Sequence, residues 1–261
     1  MNLLLTNDDG YGAEGLEILK NRLKKDGHKV YVMAPAGNRS GVSHGMNFDS
    51  LEFTKKSETE WTCAGLPVDC VVSSLSSDIF PEKIDAVISG INAGANIGTD
   101  VVYSGTCAAA RQAAMSGIPG IAVSIQPVGE GHYLLSGPAE ENVFYYEPMA
   151  DFIAGNLEKL IKLSTVKYPS TFVSINALSI KEYQGAVLCN KLSERSYMDL
   201  VGIDKNIPLE SSVRSTFNGD LPLSSCEEGC DYYAVIHGNV AVNVIYSEPV
   251  SACVDGISFS L

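Results

Sequence analysis

The first 35 or so residues alternate between strand and helix patterns, and this alternation restricts the chain to α/β folds. Residues 2–5 are continuously apolar, which is typical of a strand in a parallel sheet that is covered on both faces. Residues 16–23 place their leucines on one face of a helix, which ends near Gly27. A second apolar strand follows at 30–33. Strand, helix and strand in this order predict a right-handed βαβ unit.

Strands and helices continue to alternate through the first two thirds of the chain. Strands are predicted at 86–89, 119–125 and 171–175, and helices at 104–115 and 147–163. The polar stretch between 126 and 146 is interpreted as an insertion, and after residue 180 shorter strand-like runs occur at 186–188, 232–236 and 240–246. A chain of 261 residues can bury a full core as one α/β domain, and we predict a single domain over 1–261.

Composition excludes several classes of function. The net charge is -13 and the sequence pI is about 4.7, so the chain has no basic surface for nucleic acid, although it can still capture a small anion locally. No apolar run approaches the roughly 20 residues that span a bilayer, and the amino terminus does not resemble a signal peptide. We therefore expect a cytoplasmic protein with a small-molecule ligand, no nucleic-acid partner and no membrane contact.

The seven cysteines are interpreted as reduced thiols, because their number is odd and no secretory signal precedes them. Cys226 and Cys230 have the spacing of half a zinc site, but no second Cys or His pair matches them. His44 lies in a Gly/Ser-rich loop and is a candidate neighbour of the functional site, whereas His237 is interpreted as structural.

Asn7-Asp8-Asp9-Gly10 follows the first strand and places two carboxylates at the mouth of the sheet. Two carboxylates about 4 Å apart repel by roughly 4 kcal/mol at an effective dielectric constant near 20. A bound divalent cation would compensate this repulsion. The alternative is an Asp that caps a helix beside a solvated neighbour.

Three loops leave the carboxyl ends of predicted strands, where ligands bind in open α/β sheets. They are residues 7–10, 37–41 and 89–106, and all three carry carboxylate, hydroxyl or amide oxygens. Such oxygens favour Mg²⁺ or Mn²⁺ over zinc. Ser104-Gly105-Thr106, at the start of a helix, can cradle a phosphate or simply cap the helix. Together, the three loops indicate a site for a metal and a phosphate.

The chain resembles the SurE survival proteins, a family of metal-dependent nucleotidases. Four blocks carry the resemblance: residues 5–11 (LTNDDGY), 34–41 (APAGNRSG), 67–71 (PVDCV) and 89–106 (SGINAGANIGTDVVYSGT). The resemblance covers residues 1–125 and thins afterwards, where Asp231 and the residues near it look like part of a carboxy-terminal family block.

The resemblance implies a Rossmann-like core over 1–180, with a mostly parallel sheet and flanking helices, and a β-rich carboxy-terminal extension over 181–261. The extension would build a homodimer or homotetramer. One Mg²⁺ or Mn²⁺ per subunit would be held by four residues: Asp8, Asp9, Ser40 and Asn92. The phosphate would be held by five others: Asn96, Gly41, Ser104, Gly105 and Thr106.

By the same resemblance the chain is expected to be a 5′-nucleotidase that hydrolyses nucleoside 5′- and 3′-monophosphates and trims short polyphosphate. Asp8 or Asp9 could also act as a nucleophile or a base, and the sequence leaves open whether water or an aspartate attacks the phosphorus. The alternative is a receiver-like signalling module that binds Mg²⁺ for phosphotransfer, since receivers also place paired acids after the first strand. A receiver needs about half this length.

Overall fold

The fold is organised around one mixed sheet that runs through the molecule. The computed structural model describes residues 1–128, 143–194, 206, 208, 211–212 and 227–250. In chain order its strands are β1 (Asn2–Thr6), β2 (Lys29–Pro35), β3 (Phe53–Lys55), β4 (Glu60–Cys63), β5 (Ala86–Ala93), β6 (Gly120–Gln126), β7 (Thr171–Leu178), β8 (Ala186–Cys189) and β9 (Val240–Tyr246). Their spatial order is β3-β4-β2-β1-β5-β6-β7-β9-β8.

The helices cover both faces of this sheet. They are α1 (Glu14–Lys25), α2 (Pro67–Ser76), α3 (Gly105–Met115), α4 (Glu147–Leu163) and α5 (Asp231–Ile236), with a short 3₁₀ helix at Gly98–Val102. The strand β1 shows the layering, because Leu3 and Leu5 pack with α1 and α4 while Leu4 packs with α2 and α3. Continuous burial of β1 on both faces explains its unbroken run of leucines.

Most of the strands are parallel, and the predicted Rossmann-like α/β class is confirmed. The strands β2, β1, β5, β6 and β7 run parallel to one another, so their carboxyl ends lie along one edge of the sheet. The strand β9 runs antiparallel to β7, and β8 runs parallel to β9. Since β9 is reversed, its carboxyl end at Tyr246 lies beside Thr171, at the opposite edge of the sheet.

Two parts of the core were not identified from the sequence. The short strands β3 and β4 form an antiparallel pair at one end of the sheet, and α2 fills the face beside them. The strand β5 is longer than predicted and continues to Ala93, with a register shift against β6 between Ser89 and Asn92. This extension carries Asn92 to the edge where the other parallel strands end.

The predicted strand at 232–236 is wrong, because these residues belong to the helix α5. A short run of aromatic and aliphatic residues does not distinguish a strand from a helix. The buried positions of this segment are Asp231, Ala234 and Val235, which have the i, i+3, i+4 spacing of one helix face. The helix ends at His237, before Gly238 with a φ of +74°.

The region after residue 180 joins the same sheet through β8 and β9. The division into a core and an oligomerising extension remains a prediction. Most of the proposed insertion (129–142), most of the polar stretch between 190 and 230, and Cys226 lie outside the described residues. Within the described ranges, no helix is both long and apolar enough to cross a membrane.

Candidate active site

The turn after β1 directs the acidic pair to the edge of the sheet. The Asn7 side chain is fully buried; its Nδ2 donates to the Gly10 carbonyl at 2.9 Å, and its Oδ1 accepts from the Gly10 N–H at 3.1 Å. Gly10 has a φ of +107°, and a Cβ there would lie 2.9 Å from the Gly37 carbonyl carbon. The first two site loops therefore touch only because Gly10 has no side chain.

Asp8 is the most tightly held residue of the site. It is 3% exposed, and Thr106 donates to both of its carboxylate oxygens, with Oγ1 2.5 Å from Oδ1 and the backbone nitrogen 3.2 Å from Oδ2. Thr106 lies in the first turn of α3, where backbone N–H groups have no helical partner. Asp8 thus accepts hydrogen bonds from Thr106 at the start of α3, and these bonds fix the orientation of its carboxylate.

Burial shifts the titration of both acids. Desolvation raises the pKa of Asp8, the negative charge of Asp9 raises it further, and the hydrogen bonds from Thr106 oppose the shift. Burial also raises the pKa of Asp9, and the Ala93 N–H bonded to it opposes that shift. These shifts agree with the repulsion expected for adjacent carboxylates, which a nearby cation would relieve.

Asp9 connects the turn after β1 to the end of β5. The Ala93 N–H donates to Asp9 Oδ2 at 3.1 Å, which places Asp9 next to Asn92. The Asn92 amide nitrogen donates to the Gly94 carbonyl at 2.7 Å, so its Oδ1 remains as an acceptor on the other side of the amide. The loops that carry Asp8, Asp9 and Asn92 therefore converge as predicted.

The Ser40–Gly41 loop meets the site through its backbone. The Arg39 N–H donates to the Asp8 carbonyl at 2.6 Å, and the Ser40 N–H donates to Asn38 Oδ1 at 2.9 Å. Ser40 and Gly41 are both exposed, at the rim of the site. Their backbone position is thus coupled directly to Asp8.

Further along, the same loop is anchored by Asp69, which sequence reasoning did not assign to the site. Asp69 is 2% exposed; its Oδ1 accepts from the Asn47 N–H at 2.9 Å, and its Oδ2 accepts from Asn47 Nδ2 at 2.6 Å. Oδ2 also accepts from the Leu66 N–H at the start of α2 at 2.8 Å. Asp69 lies in one of the four blocks that carry the family resemblance, and that was the available signal.

The start of α3 holds three of the five residues predicted to bind phosphate. Ser104 is the N-cap residue, and its Oγ accepts from the Cys107 N–H at 3.0 Å. A Cβ on Gly105 would lie 3.0 Å from the Asp8 Cβ, so the absence of a side chain allows α3 to approach the acidic turn. In this geometry Ser104 caps the helix, Thr106 holds Asp8, and the buried Gly105 lets α3 pack closely against the acidic turn.

Ser104→Ala is expected to lower the free energy of unfolding by about 1 kcal/mol, since it removes an N-cap hydrogen bond. If Ser104 also contacted the phosphate at the transition state, kcat would fall by about 10²-fold or more as well. Chemical denaturation and kcat measured on the same preparation separate the two roles. An unchanged unfolding free energy would contradict the capping role.

Asn96, a further predicted phosphate residue, is buried and contacts β6 and β7. Its Nδ2 donates to Ser124 Oγ at 2.8 Å, its N–H donates to Asn176 Oδ1 at 2.7 Å, and its carbonyl accepts from Asn176 Nδ2 at 3.2 Å. These contacts fix the 94–98 loop against β6 and β7. Asp231 fixes the end of the same loop, because its Oδ2 accepts from the Gly98 N–H at 2.7 Å.

The predicted ligand set fits a hard divalent cation in its chemistry. Two carboxylates, an amide and a hydroxyl supply only oxygen ligands, as Mg²⁺ and Mn²⁺ prefer. Across the described ranges there is no group of three or more His, Cys, Asp or Glu side chains that could hold a metal, so a zinc-type cluster has no ligands there.

The chain is similar to proteins of one family along most of its length. The family profile "Survival protein SurE" matches residues 3–199. A protein named 5′-nucleotidase SurE from Treponema pallidum is 43% identical over 191 residues, which cover 71% of this chain and 95% of that protein. A protein of the same name from Desulfitobacterium hafniense is 34% identical over 254 residues, 95% of this chain and 92% of that protein.

The fold comparison agrees with the sequence comparisons. The crystal structure of the SurE protein from Aquifex aeolicus superposes with a TM-score of 0.75 at 29% sequence identity, covering 96% of this chain and 95% of that chain. The chain therefore belongs to the SurE survival protein family.

Proposed function

We propose that the protein is a divalent-cation-dependent phosphomonoesterase that hydrolyses nucleoside 5′-monophosphates to nucleoside and phosphate. The observation that carries this proposal is the convergence of Asp8, Asp9 and Asn92 at the start of α3, with Asp8 fixed on both oxygens by Thr106. The names of the family members from Treponema pallidum and Desulfitobacterium hafniense support the choice of a nucleotide substrate.

In this proposal Asp8, Asp9, Ser40 and Asn92 hold the cation. When bound, it supplies Lewis-acid polarisation of a phosphoryl oxygen. Gly105, at the start of α3, faces the phosphate, and the positive end of the helix dipole favours the dianion there. The Thr106 and Cys107 N–H groups of the same turn donate to Asp8 and Ser104. Asn96 holds the 94–98 loop in place around the phosphate through its contacts with Ser124 and Asn176.

The two carboxylates differ in what they can do besides binding the cation. Thr106 engages both oxygens of the buried Asp8, whereas the half-buried Asp9 accepts a hydrogen bond on Oδ2 from the Ala93 N–H. Asp9 is therefore the better placed of the two to accept a proton from an attacking water. The stereochemistry of hydrolysis of a phosphate monoester that is chiral at phosphorus distinguishes the two mechanisms, since one direct attack by water inverts the configuration and two displacements through an aspartyl-phosphate retain it.

The test of the proposal is repeated turnover of AMP, GMP and a 3′-nucleotide with Mg²⁺ or Mn²⁺, measured as released phosphate. Many phosphates per protein molecule are expected from an enzyme, and we expect 3′-monophosphates and short polyphosphate as secondary substrates. A receiver-like module would transfer at most one phosphoryl group per molecule. Phosphorylation of the protein by one phosphoryl group per molecule, without further release of phosphate, would therefore contradict the nucleotidase proposal and support the signalling alternative.

Mononucleotides are expected to be better substrates than long-chain polyphosphate. The site provides donors for one phosphate, while the net charge of -13 repels the remaining phosphates of a polymer. The comparison is kcat/KM for AMP and for long-chain polyphosphate at the same ionic strength. A higher kcat/KM for the polymer would refute the substrate assignment and leave the metal and phosphate chemistry intact.

We also propose that the protein is a dimer or tetramer that assembles through the region after residue 180. Two apolar side chains support this, because Leu188 of β8 and Val244 of β9 are 63% and 40% exposed. Light scattering at micromolar concentration is expected to give at least twice the monomer mass of 27.8 kDa. A mass of one chain would contradict this assembly.

A further inference from the structure

A cavity of about 400 Å³ lies away from the candidate active site, between α3 and the end of β9. We name it the α3 pocket, and its wall includes His44, Arg111, Met115, Tyr246, Ser247 and Glu248. Arg111 stacks over the Phe172 ring near the amino end of β7, whereas the acidic turn lies at the carboxyl edge of the sheet. Gln112 contacts the wall residue His44, and Thr106 contacts Asp8 of the acidic turn. At a helical rise of 1.5 Å per residue, these two residues of α3 are about 9 Å apart along the helix axis.

Arg111 gives the α3 pocket a cation that forms no ion pair with a carboxylate of the described residues. Its guanidinium carbon lies 5.5 Å from the centroid of the Phe172 ring. The side chain is half-buried, and burial lowers the pKa of its guanidinium. An uncompensated, partly desolvated Arg favours an anion as its partner.

Two further wall residues carry buried polar atoms that have no hydrogen-bond partner among the described residues, His44 Nδ1 and Ser247 Oγ. His44 Nε2 faces Gln112 Oε1 at 2.9 Å, and Gln112 Nε2 lies 3.1 Å from Ser116 Oγ, so the Gln112 oxygen faces the imidazole. The neutral ring therefore donates through Nε2 and leaves Nδ1 as an acceptor. Because buried polar atoms are normally satisfied, two orphans in one wall indicate a missing polar ligand.

We propose that the α3 pocket is a second anion site, which binds the phosphate group of a small molecule. A hydrogen phosphate or phosphate monoester supplies acceptor oxygens for Arg111 and Ser247 and an O–H for His44 Nδ1. Sulfate and carboxylate ions supply acceptors without that O–H. Tyr246 and Met115, which are 60% and 46% exposed, offer an apolar surface to the remainder of the molecule.

Glu248 contributes a carboxylate to the wall of the α3 pocket, and both of its oxygens already accept hydrogen bonds. Its Oε2 accepts from the Ser170 N–H at 2.8 Å and its Oε1 from the Ser170 hydroxyl at 3.0 Å. This carboxylate limits the α3 pocket to a single anionic group near Arg111. The proposal does not depend on hydrolysis at the acidic turn, since none of these wall residues belongs to the predicted ligand sets.

The test is isothermal titration calorimetry of the full chain in a chelator, which suppresses cation-dependent binding at the acidic turn. Inorganic phosphate, sulfate, AMP and adenosine are titrated at equal ionic strength. We expect saturable binding of phosphate, at least about tenfold weaker binding of sulfate, and no binding of adenosine. Tighter binding of AMP than of phosphate identifies a nucleotide as the source of the phosphate group, and equal binding identifies phosphate itself.

Arg111→Gln is expected to weaken phosphate binding by at least about tenfold. Lys159→Gln is the matched control, because it removes one positive charge from an exposed position of α4 and is expected to leave the affinity unchanged. Wild-type affinity in Arg111→Gln, sulfate bound as tightly as phosphate, or no phosphate binding at millimolar concentration would each overturn the proposal.

Ser247→Ala is a second variant that keeps the proposal testable if Arg111→Gln fails to fold. The Ser247 hydroxyl has no partner, so its removal is expected to leave the melting temperature of the ligand-free protein unchanged or higher. Phosphate affinity is nevertheless expected to fall severalfold in this variant, and an unchanged affinity would count against the assigned wall. AMP hydrolysis is assayed separately with Mg²⁺, so a failure of this proposal is distinguishable from a failure of the nucleotidase proposal.

Discussion

Asp8→Asn is expected to lower kcat/KM for AMP by at least about 10³-fold, which corresponds to ~4 kcal/mol of lost transition-state stabilisation. The carboxylate supplies a charged ligand to the proposed cation, and a neutral amide attracts a cation far less strongly. The amide also presents only one acceptor to Thr106, which donates to both oxygens of Asp8. Steady-state kinetics with saturating Mg²⁺ or Mn²⁺ measures the effect.

The fold is expected to tolerate this substitution, because the variant removes one of two adjacent partly buried charges. The melting temperature reports on this, and Asp78→Asn, at an exposed position after α2, is the matched control for loss of one carboxylate. We expect full activity in the control. Near-wild-type turnover in Asp8→Asn would show that catalysis does not need the Asp8 carboxylate, and it would refute the proposed ligand set.

Removing divalent cations with a chelator is expected to abolish AMP hydrolysis, and an excess of Mg²⁺ or Mn²⁺ is expected to restore it. Without a cation, the phosphate dianion would approach two carboxylates in a partly buried turn, and this repulsion opposes binding. The measurement is phosphate release after dialysis against chelator and again after the addition of each metal. Since the core consists of packed apolar layers, far-UV circular dichroism is expected to stay unchanged.

Zinc provides a control for the type of site. The predicted ligands are all oxygen atoms, so Mg²⁺ or Mn²⁺ is expected to reactivate the protein better than Zn²⁺ at equal free concentration. Hydrolysis that persists at the original rate in chelator would show that the carboxylates work without a metal. A strong preference for Zn²⁺ would instead contradict the assignment of the metal ligands to Asp8, Asp9, Ser40 and Asn92.

The sequence predicted the parts of the site that depend on strand ends. Asp8 and Asp9 follow β1 and Thr106 lies in the first turn of α3, and both elements have a strong local pattern. Asn92 was predicted in the loop after 86–89, and it lies in the extension of the same strand, β5. Once the strands are parallel, their loops must meet at one edge. The convergence of these residues therefore follows from secondary structure and chain order alone.

The residues that support the site could not be predicted in the same way. Asn176 and Asp231 reach the 94–98 loop from positions about 80 and 130 residues further along the chain, and local pattern does not encode such contacts. The helix α5 was missed for a related reason, because burial by the surrounding structure decided between two periods that its short sequence permits equally. Asp69 was visible only as part of a family block.

The reversal of β9 separates the molecule into two ends that can be altered independently. Because β9 runs against β7, it carries Tyr246 and Ser247 to the edge of the sheet opposite the acidic turn. Effects of substitutions more than about 10 Å apart and without shared partners usually add. An engineer could therefore change the residues after β9 to recognise a different molecule and leave the hydrolytic loops untouched. Two elements connect the ends and would transmit such a change: the helix α3, and the loop that carries Ser40 and Gly41 and continues to His44 in the wall of the α3 pocket.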